Sequence, residues 1–290
     1  MSGQPRRPAV AGTFYPARPA QLAELVEELI AAVTRVSRPE GLATDEVLGL
    51  LVPHAGLVYS GATAALSWLL AGEIGPTTIV LAGTDHQARA TGVGVWTGGP
   101  WRTPLGDVPV DDALAGAIAA LGSPFEADDD AHRDEHSLEV QLPLLARTCT
   151  EARIVALAVS PRLANHNSAG ASLGRLLAEK RAAGEKILLV ASSDLAHYPP
   201  ARICEEVDAQ LIEPLLRLDP DGVWATENAI LRAGRPGVVC GLCGIDPVRV
   251  ALAALQVMGA RGGFLLGEAT SADAGADPRR TVGYAAAAFV

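Results

Sequence analysis

The sequence predicts a single three-layer α/β/α domain built on a mostly parallel or mixed central sheet. Apolar runs of strand length alternate with segments of helical spacing along the 290 residues, which is the pattern of helices packed on both faces of a sheet. No linker, repeat or low-complexity stretch interrupts this alternation, so residues 1–290 are expected to form one domain.

Short runs rich in β-branched and small aliphatic residues, bounded by Gly, Pro or polar residues, indicate the strands. They are predicted at 47–52, 77–83, 93–97, 153–159, 186–192, 263–269 and 282–289. Segments with apolar residues three or four apart, several of them opening on acidic residues, indicate the helices. They are predicted at 19–36, 60–71, 111–121, 137–145, 168–183, 202–218 and 246–258. The polar stretch 271–280 is expected to be an exposed loop.

Composition excludes several classes of protein. The net charge is -10, from 23 basic and 33 acidic residues, and the basic residues form no tract. Nucleic-acid affinity comes mainly from phosphate neutralisation, so no nucleic-acid partner is expected. The sequence shows no signal peptide and no charge-free apolar stretch of about 18 residues, which predicts a cytoplasmic protein without a membrane span. Four cysteines are too few for a disulfide framework in a chain of this length.

Five of the six histidines lie in short motifs that punctuate the strand-like runs. They are His54, His86, His132, His136 and His197. Sites in open α/β sheets are built at the carboxyl ends of strands, and imidazole is both a common metal ligand and the usual acid or base near neutral pH. The pattern therefore predicts one shared catalytic or metal centre.

The segment HRDEHSLE carries the densest cluster of candidate groups. His132 and His136 are four residues apart and would share one face of a helix. The string H-x-x-E-H also matches an inverted zincin motif, in which two histidines bind zinc and the glutamate acts as base. The acidic run 128–130 before it is typical of a loop, so an acid/base role for His136 or His132 is the preferred interpretation.

A second candidate group follows the strand at 186–192. Asp194 and His197 are three residues apart, so the carboxylate could hold the imidazole in one tautomer. Alternatively, Ser192, Ser193 or Asp194 caps a short helix. No G-x-S-x-G elbow surrounds either serine, which argues against a serine nucleophile.

The last candidate group is the pair Cys240 and Cys243 in the string CGLC. Such a pair is typical of redox chemistry or of half a zinc knuckle, but no second pair completes a four-cysteine site. One thiolate from this pair joining two histidines would make a three-ligand centre with open positions. That donor set suits iron, zinc or copper.

Six strings, in order along nearly the whole chain, resemble the MEMO family, also called AmmeMemoRadiSam system protein B. They are RPAVAGTFYPA (7–17), VPHAGLVYSGATAA (52–65), GTDHQ (83–87), DEHSLEVQLPLL (134–145), SSDLAH (192–197) and VCGLCGIDPV (239–248). This family is similar in fold to the class III extradiol, LigB-type, non-haem iron dioxygenases. The resemblance therefore implies the same α/β fold.

Carried over residue by residue, the resemblance implies three metal ligands and three further pocket residues. The ligands are His54 of the PHAG string, His86 of the G-x-x-H turn and Cys240 of the Cys-Gly motif; the pocket residues are His136, Asp194 and His197. The chain departs from the family pattern in two places. Leu57 replaces an aromatic residue after PHAG, and Cys243-Gly244 stands where a proline-containing sequence is usual.

The expected function is that of a dioxygenase-like redox enzyme acting on a small molecule at a 2-His-1-Cys centre. Fe(II) is the expected metal, with copper or zinc as alternatives. His136 or His197 would move protons and Asp194 would orient an imidazole. A zinc hydrolase and a non-catalytic module that binds metal or phosphotyrosine-type peptides are the alternative functions. The composite family name also suggests a partner from a radical-enzyme or modification system.

Overall fold

The computed structural model describes residues 3–34, 36 and 38–290. Its helices are α1 (Pro19–Val33), α2 (Leu57–Ile74), α3 (Asp112–Ala119), α4 (Leu142–Thr148), α5 (His166–Ala182), α6 (Ala201–Leu216), α7 (Pro220–Ala233) and α8 (Ile245–Met258). Its strands are β1 (Gly49–Val52), β2 (Thr78–Thr84), β3 (Val93–Val95), β4 (Trp101–Thr103), β5 (Gly106–Val108), β6 (Phe125–Ala127), β7 (Arg153–Val159), β8 (Ile187–Ser192), β9 (Gly263–Thr270) and β10 (Gly283–Phe289). Short 3₁₀ turns cover Thr44–Glu46, Asp130–His132 and Glu139–Gln141.

Eight strands form one mixed sheet in the order β6-β3-β7-β2-β8-β1-β10-β9. The four central strands β7, β2, β8 and β1 run parallel to one another. At one side β10 pairs antiparallel with β1 and β9, and at the other side β3 pairs antiparallel with β7. This arrangement confirms the predicted single α/β domain with a mixed sheet.

The central strands are buried on both faces, and their side chains alternate between two cores. In β2, Val80 and Ala82 join the core under α5 and α8, whereas Ile79 and Leu81 join the core under α1 and α2. Successive side chains of a strand point to opposite faces, so one apolar run supplies both cores. The structure thus has the helix–sheet–helix layers that the alternation of elements predicted.

Helix α2 is the one helix among the described residues that is long and apolar enough to match a membrane span. Its 18 residues have a mean hydropathy of 1.2, and 56% of them are buried. It contacts α1 and α4 as well as the strands β1, β9 and β10. These contacts are those of a core helix of an α/β domain.

One helix, one 3₁₀ segment and three short strands differ from the sequence expectation. Helix α7 was not predicted, although Asp219 caps its first turn, Pro220 opens it and Gly234 ends it in a left-handed conformation. The predicted helix 137–145 is instead a 3₁₀ turn followed by α4, which begins only at Leu142. Strands β4, β5 and β6 have three residues each, too few to show a periodic pattern.

Candidate metal centre

Three neighbouring parallel strands place candidate groups at the same edge of the sheet. His54, His86 and Asp194 each come two residues after the last residue of their strand, β1, β2 and β8 respectively. Strand β8 lies between the other two. Because the carboxyl ends of parallel strands meet at one edge, these side chains converge over the end of β8.

The His54 ring is held in one orientation by the Ser192 hydroxyl. It is 2% exposed, and its Nδ1 lies 3.0 Å from the Ser192 hydroxyl oxygen. That hydroxyl donates to the Ser137 carbonyl at 2.7 Å and accepts from the Gln141 amide at 3.0 Å. Its proton is therefore already used, so Nδ1–H of His54 must donate to it. The lone pair of the neutral ring is consequently on Nε2.

The His86 ring is oriented by the buried carboxylate of Glu135. Nδ1 of His86 lies 2.8 Å from Oε1 of Glu135, and the His86 backbone N–H donates to Oε2 at 2.8 Å. Glu135 also accepts the Ser137 backbone N–H at 2.7 Å. A carboxylate on one imidazole nitrogen directs the other toward a metal. Both histidines thus present Nε2 as the free nitrogen.

The thiol that meets these rings is that of Cys243. This residue lies just before the Gly244 cap of α8, and its Sγ is 3.1 Å from Nε2 of His54. One ligand atom from each of His54, His86 and Cys243 can be chosen so that all three lie within 4.8 Å of one another. Two imidazole nitrogens and a thiolate at this spacing could hold one metal ion.

Cys240, which the sequence analysis placed among the ligands, occupies a different position. Its carbonyl accepts the His197 backbone N–H at 2.9 Å, and it belongs to none of the ligand groups found among the described residues. The chain contains two Cys-Gly pairs, Cys240-Gly241 and Cys243-Gly244. The second is followed by Pro247, so the proline expected after the Cys-Gly motif was the signal that pointed to Cys243.

The charges of the imidazoles and the thiol stabilise one another. Burial alone would raise the pKa of Cys243, but the nearby His54 and His197 rings hold it well below its usual range. Burial would likewise lower the pKa of His86, yet hydrogen bonds to Cys243 and Glu135 raise it to about 10. Without metal at pH 7, the centre therefore holds a thiolate beside protonated imidazole, and metal binding must displace a proton.

Asp194 fixes the backbone beside the centre and adds a carboxylate to it. Its Oδ1 accepts the backbone N–H groups of His54 at 2.7 Å and Ala55 at 3.1 Å, which fixes the turn after β1. Oδ2 faces Nε2 of His197 at 3.9 Å, too far for a hydrogen bond. Nε2 of His197 is buried and has no hydrogen-bond partner in the described part of the chain. Asp194, His197 and Cys243 form a second group of ligand atoms within 4.8 Å.

His136 lies beside the centre and forms part of the pocket wall. Its ring stacks on His86 with centroids 4.4 Å apart and lies 4.7 Å from the Phe14 ring. Burial and the positive charges of His54 and His86 lower its pKa to about 4, so the ring is neutral at pH 7. A neutral imidazole in this position can accept a proton.

His132 lies outside the site although it is only four residues from His136. It is 0% exposed, its Nε2 lies 3.0 Å from the Gly94 carbonyl oxygen, and its ring packs against Trp96 and Trp101. Burial lowers its pKa to about 3. His132 is therefore a neutral core residue, and the inverted zincin arrangement of His132 with His136 does not form.

A cavity of about 480 Å³ opens above the candidate metal centre. All five sequence-predicted site residues other than the thiol line its wall, namely His54, His86, His136, Asp194 and His197. The rest of the wall is mainly aromatic and small, with Phe14, Tyr59, Tyr198 and Tyr284 among the lining residues. This size and lining suit a small, largely apolar ligand that reaches the centre at its polar end.

Known proteins resemble this chain over nearly its whole length. The family model described as "Memo-like protein" matches residues 6–288. The chain belongs to the Memo-like family. A MEMO1 family protein of Ignicoccus hospitalis is 36% identical to it, over 98% of both chains. One of Methanocaldococcus jannaschii is 33% identical, over 97% of this chain and 98% of the relative.

Among solved structures, the fold is similar to that of an uncharacterized protein of Escherichia coli K12. The TM-score is 0.54 at 18% identity, over 84% of this chain and all of the other. At this identity the similarity extends to the fold alone. The membership of the Memo-like family rests on the sequence matches, which span both the strand-end histidines and the Cys243 loop.

Proposed function

We propose that this Memo-like protein is a metal-dependent redox enzyme of the dioxygenase type, with His54, His86 and Cys243 as the ligands of one Fe(II). The observation that carries the proposal is the convergence of the two Nε2 atoms and the Cys243 Sγ beside the pocket. Each imidazole is oriented by a buried partner, Ser192 or Glu135, as in metal sites.

The donor set fits such an ion. Two imidazoles and a thiolate suit iron, copper or zinc, and three protein ligands leave positions for a substrate and O₂. When bound, Fe(II) would supply the one-electron chemistry that lets O₂ react with an organic substrate. A thiolate in place of a carboxylate donates more charge to the metal, which supports O₂ activation.

The remaining pocket residues would manage protons and position the substrate. His136 is neutral at pH 7, and a ring nitrogen of it can take a proton from a substrate hydroxyl or thiol. Asp194 holds the His54 turn through two backbone hydrogen bonds, and His197 adds a further imidazole to the pocket wall. These are the three residues for which the sequence analysis predicted catalytic roles.

The aromatic wall favours a planar substrate. Phe14, Tyr59, Tyr198 and Tyr284 line the pocket, and aromatic side chains pack well against flat rings. A phenol or catechol would place its ring against this wall and its hydroxyl groups toward the ligands. A small thiol is the alternative substrate class, because sulfur also binds the proposed metal.

The first experiment is anaerobic purification followed by elemental mass spectrometry of bound metals. We expect near-stoichiometric iron in the natural protein and its loss in His86→Ala and Cys243→Ser. The matched variant Cys240→Ser should keep the metal, because Cys240 lies outside the ligand group. An O₂-uptake screen of catechols, phenols and thiols would then identify the substrate.

Other outcomes would assign other functions. Stoichiometric zinc together with O₂-independent activity would favour a hydrolase. No metal even after reconstitution would favour a binding module for small molecules or phosphotyrosine-type peptides. Loss of metal in Cys240→Ser but not in Cys243→Ser would contradict the ligand set. A cytoplasmic location and a partner from a radical-enzyme or modification system stay predictions.

A further inference from the structure

We propose that Cys240 is the redox partner of Cys243, and that a reversible disulfide between them withdraws the thiolate from the metal centre. The proposal rests on the proposed function in one respect, namely that Cys243 is a metal ligand. It gives Cys240 a role that the ligand set does not supply.

The backbone brings the two cysteines against the same short segment. The Cys240 carbonyl accepts the His197 backbone N–H at 2.9 Å, and the Cys243 backbone N–H donates to the Asp194 carbonyl at 3.3 Å. His197 forms an isolated antiparallel β-bridge with Cys240, and a ring nitrogen of His197 and the Cys243 Sγ lie within 4.8 Å of each other. Both cysteines therefore lie against the segment Asp194–His197.

The connection between the cysteines has the length and anchoring of a redox loop. Two residues, Gly241 and Leu242, separate them, and the second cysteine comes just before Gly244, the N-cap of α8. Thiols in Cys-x-x-Cys motifs at helix N-termini are the reactive ones. The Gly241 N–H donates to both carboxylate oxygens of the buried Glu227 at 3.0 Å, which holds the loop beside the centre.

Solvent access separates this pair from the other two cysteines. Cys240 and Cys243 are half-buried, whereas Cys149 and Cys204 are buried. Val239, next to Cys240, is 64% exposed, so the loop lies at the surface beside the pocket. A small oxidant can therefore reach the pair while the other thiols stay protected.

The chemistry needs a peroxide as oxidant and balances in two steps. The Cys243 thiolate attacks one oxygen of hydrogen peroxide, breaking the O–O bond and giving a sulfenic acid and hydroxide, which takes a proton to form water. The Cys240 thiol then attacks the sulfenic sulfur, an S–S bond forms, and the second oxygen leaves as water. Two electrons pass from the two thiols to the peroxide, and an external dithiol reverses the reaction.

The consequence is protection of the ligand. A thiolate beside a redox metal is exposed to peroxide and can be oxidised irreversibly to a sulfinic or sulfonic acid. Capture of the sulfenic acid by Cys240 stops that sequence at a reversible step. The disulfide sulfur is no longer a thiolate, so the metal loses one of its three protein ligands and its affinity falls.

The test compares natural protein, Cys240→Ser and the control Cys149→Ser after treatment with graded hydrogen peroxide, using intact and peptide mass spectrometry. We expect the natural protein and Cys149→Ser to lose two hydrogens, with Cys240 and Cys243 linked in one peptide, and dithiothreitol to reverse this. Cys240→Ser should instead gain oxygen atoms on Cys243 that dithiothreitol does not fully remove. Oxygen gain on Cys243 of the natural protein to the same extent as in Cys240→Ser would overturn the proposal.

Metal content measured on the same samples separates this proposal from the proposed function. Metal in the reduced protein, lost on oxidation and recovered on reduction, supports both. Metal without any disulfide overturns only the Cys240 role. A disulfide in a protein that never holds metal overturns the proposed function and the withdrawal of a ligand, while leaving the thiol chemistry itself in place.

Discussion

The segment 132–139 contains two histidines and two glutamates that the structure divides between different tasks. His136 and Glu135 face the candidate metal centre, where Glu135 binds His86. His132 and Glu139 face the interior, where Glu139 accepts hydrogen bonds from Arg6 at 2.6 Å and from the Tyr15 hydroxyl at 2.6 Å. Both glutamates are 0% exposed, so burial alone does not distinguish the functional residue from the structural one.

The difference lies in what each buried carboxylate meets. Glu135 meets an imidazole with a second nitrogen free for a ligand. Glu139 meets a guanidinium, a phenol and the backbone N–H groups of Ala9 and Val10, so all its partners belong to the N-terminal segment. Glu139 therefore anchors that segment, which carries Phe14 to the pocket. A buried carboxylate therefore indicates a functional site only when its partner keeps a free atom that can bind a ligand, as His86 does.

The largest expected effect is the loss of stability caused by replacing Glu139, the structural glutamate. Glu139→Gln places an amide NH₂ against donors that need an acceptor and leaves the 4%-exposed Arg6 without its counter-charge. We expect the free energy of unfolding to fall by about 3–5 kcal/mol, measured by urea denaturation. The control Glu27→Gln, at an exposed pair with Arg147, should cost less than about 1 kcal/mol. Equal losses in the two variants would contradict the anchoring role.

Changing the functional glutamate should affect metal binding more than folding. In Glu135→Gln the amide no longer favours the Nδ1–H form of His86, so its Nε2 is less available to a metal. We expect metal affinity to fall roughly 10–100-fold, measured by competition with a chelator of known affinity. The metal affinity of Glu139→Gln, measured under conditions where this variant is folded, should fall much less. The opposite order would reverse the roles assigned to the two glutamates.

The pH dependence of metal binding tests the effect of Glu135 on His86 directly, because Glu139 contacts no imidazole within the part of the chain that the structure describes. With its pKa raised to about 10, His86 is protonated at pH 6–8 in the metal-free protein, and that proton must leave when the metal binds. Affinity should therefore rise with pH, by at least roughly tenfold per unit over this range, since one proton is released per site. Isothermal titration in buffers of different ionisation enthalpy measures the proton count. Affinity independent of pH would show that the imidazole is already neutral.

The smallest effect is expected at the core histidine. His132→Phe removes the hydrogen bond to the Gly94 carbonyl but keeps a ring between Trp96 and Trp101. We expect the free energy of unfolding to change by about 1 kcal/mol, with no change in metal affinity. Loss of metal in this variant would return His132 to the list of candidate ligands.

Sequence reasoning located most of the candidate site because the relevant signals are local. The turns after β1, β2 and β8 follow apolar runs that mark their strands, so His54, His86 and Asp194 could be assigned to one sheet edge from the chain alone. The choice between Cys240 and Cys243 had no such signal in the strand pattern. It depends on which residue of the loop lies beside His54 when α8 packs onto the sheet.

Roles of individual groups were harder to predict than their presence. The i,i+3 spacing of Asp194 and His197 suggested a direct hydrogen bond, but the chain after β8 is not a regular helix and the two atoms are 3.9 Å apart. The spacing of His132 and His136 suggested a shared helical face, but a 3₁₀ turn ends at His132 and a loop follows it. Spacing arguments hold only where the assumed element forms.

The sequence by itself determined the single α/β domain, most of its strands and helices, and the placement of histidines at strand ends, because periodicity and turn residues act over a few neighbours. The tertiary structure decided which thiol meets the imidazoles and which glutamate serves the centre. Those contacts join residues far apart in the chain: 189 positions separate His54 from Cys243, and 133 separate Arg6 from Glu139. They depend on strand order and on how the loops pack, which local preferences do not encode.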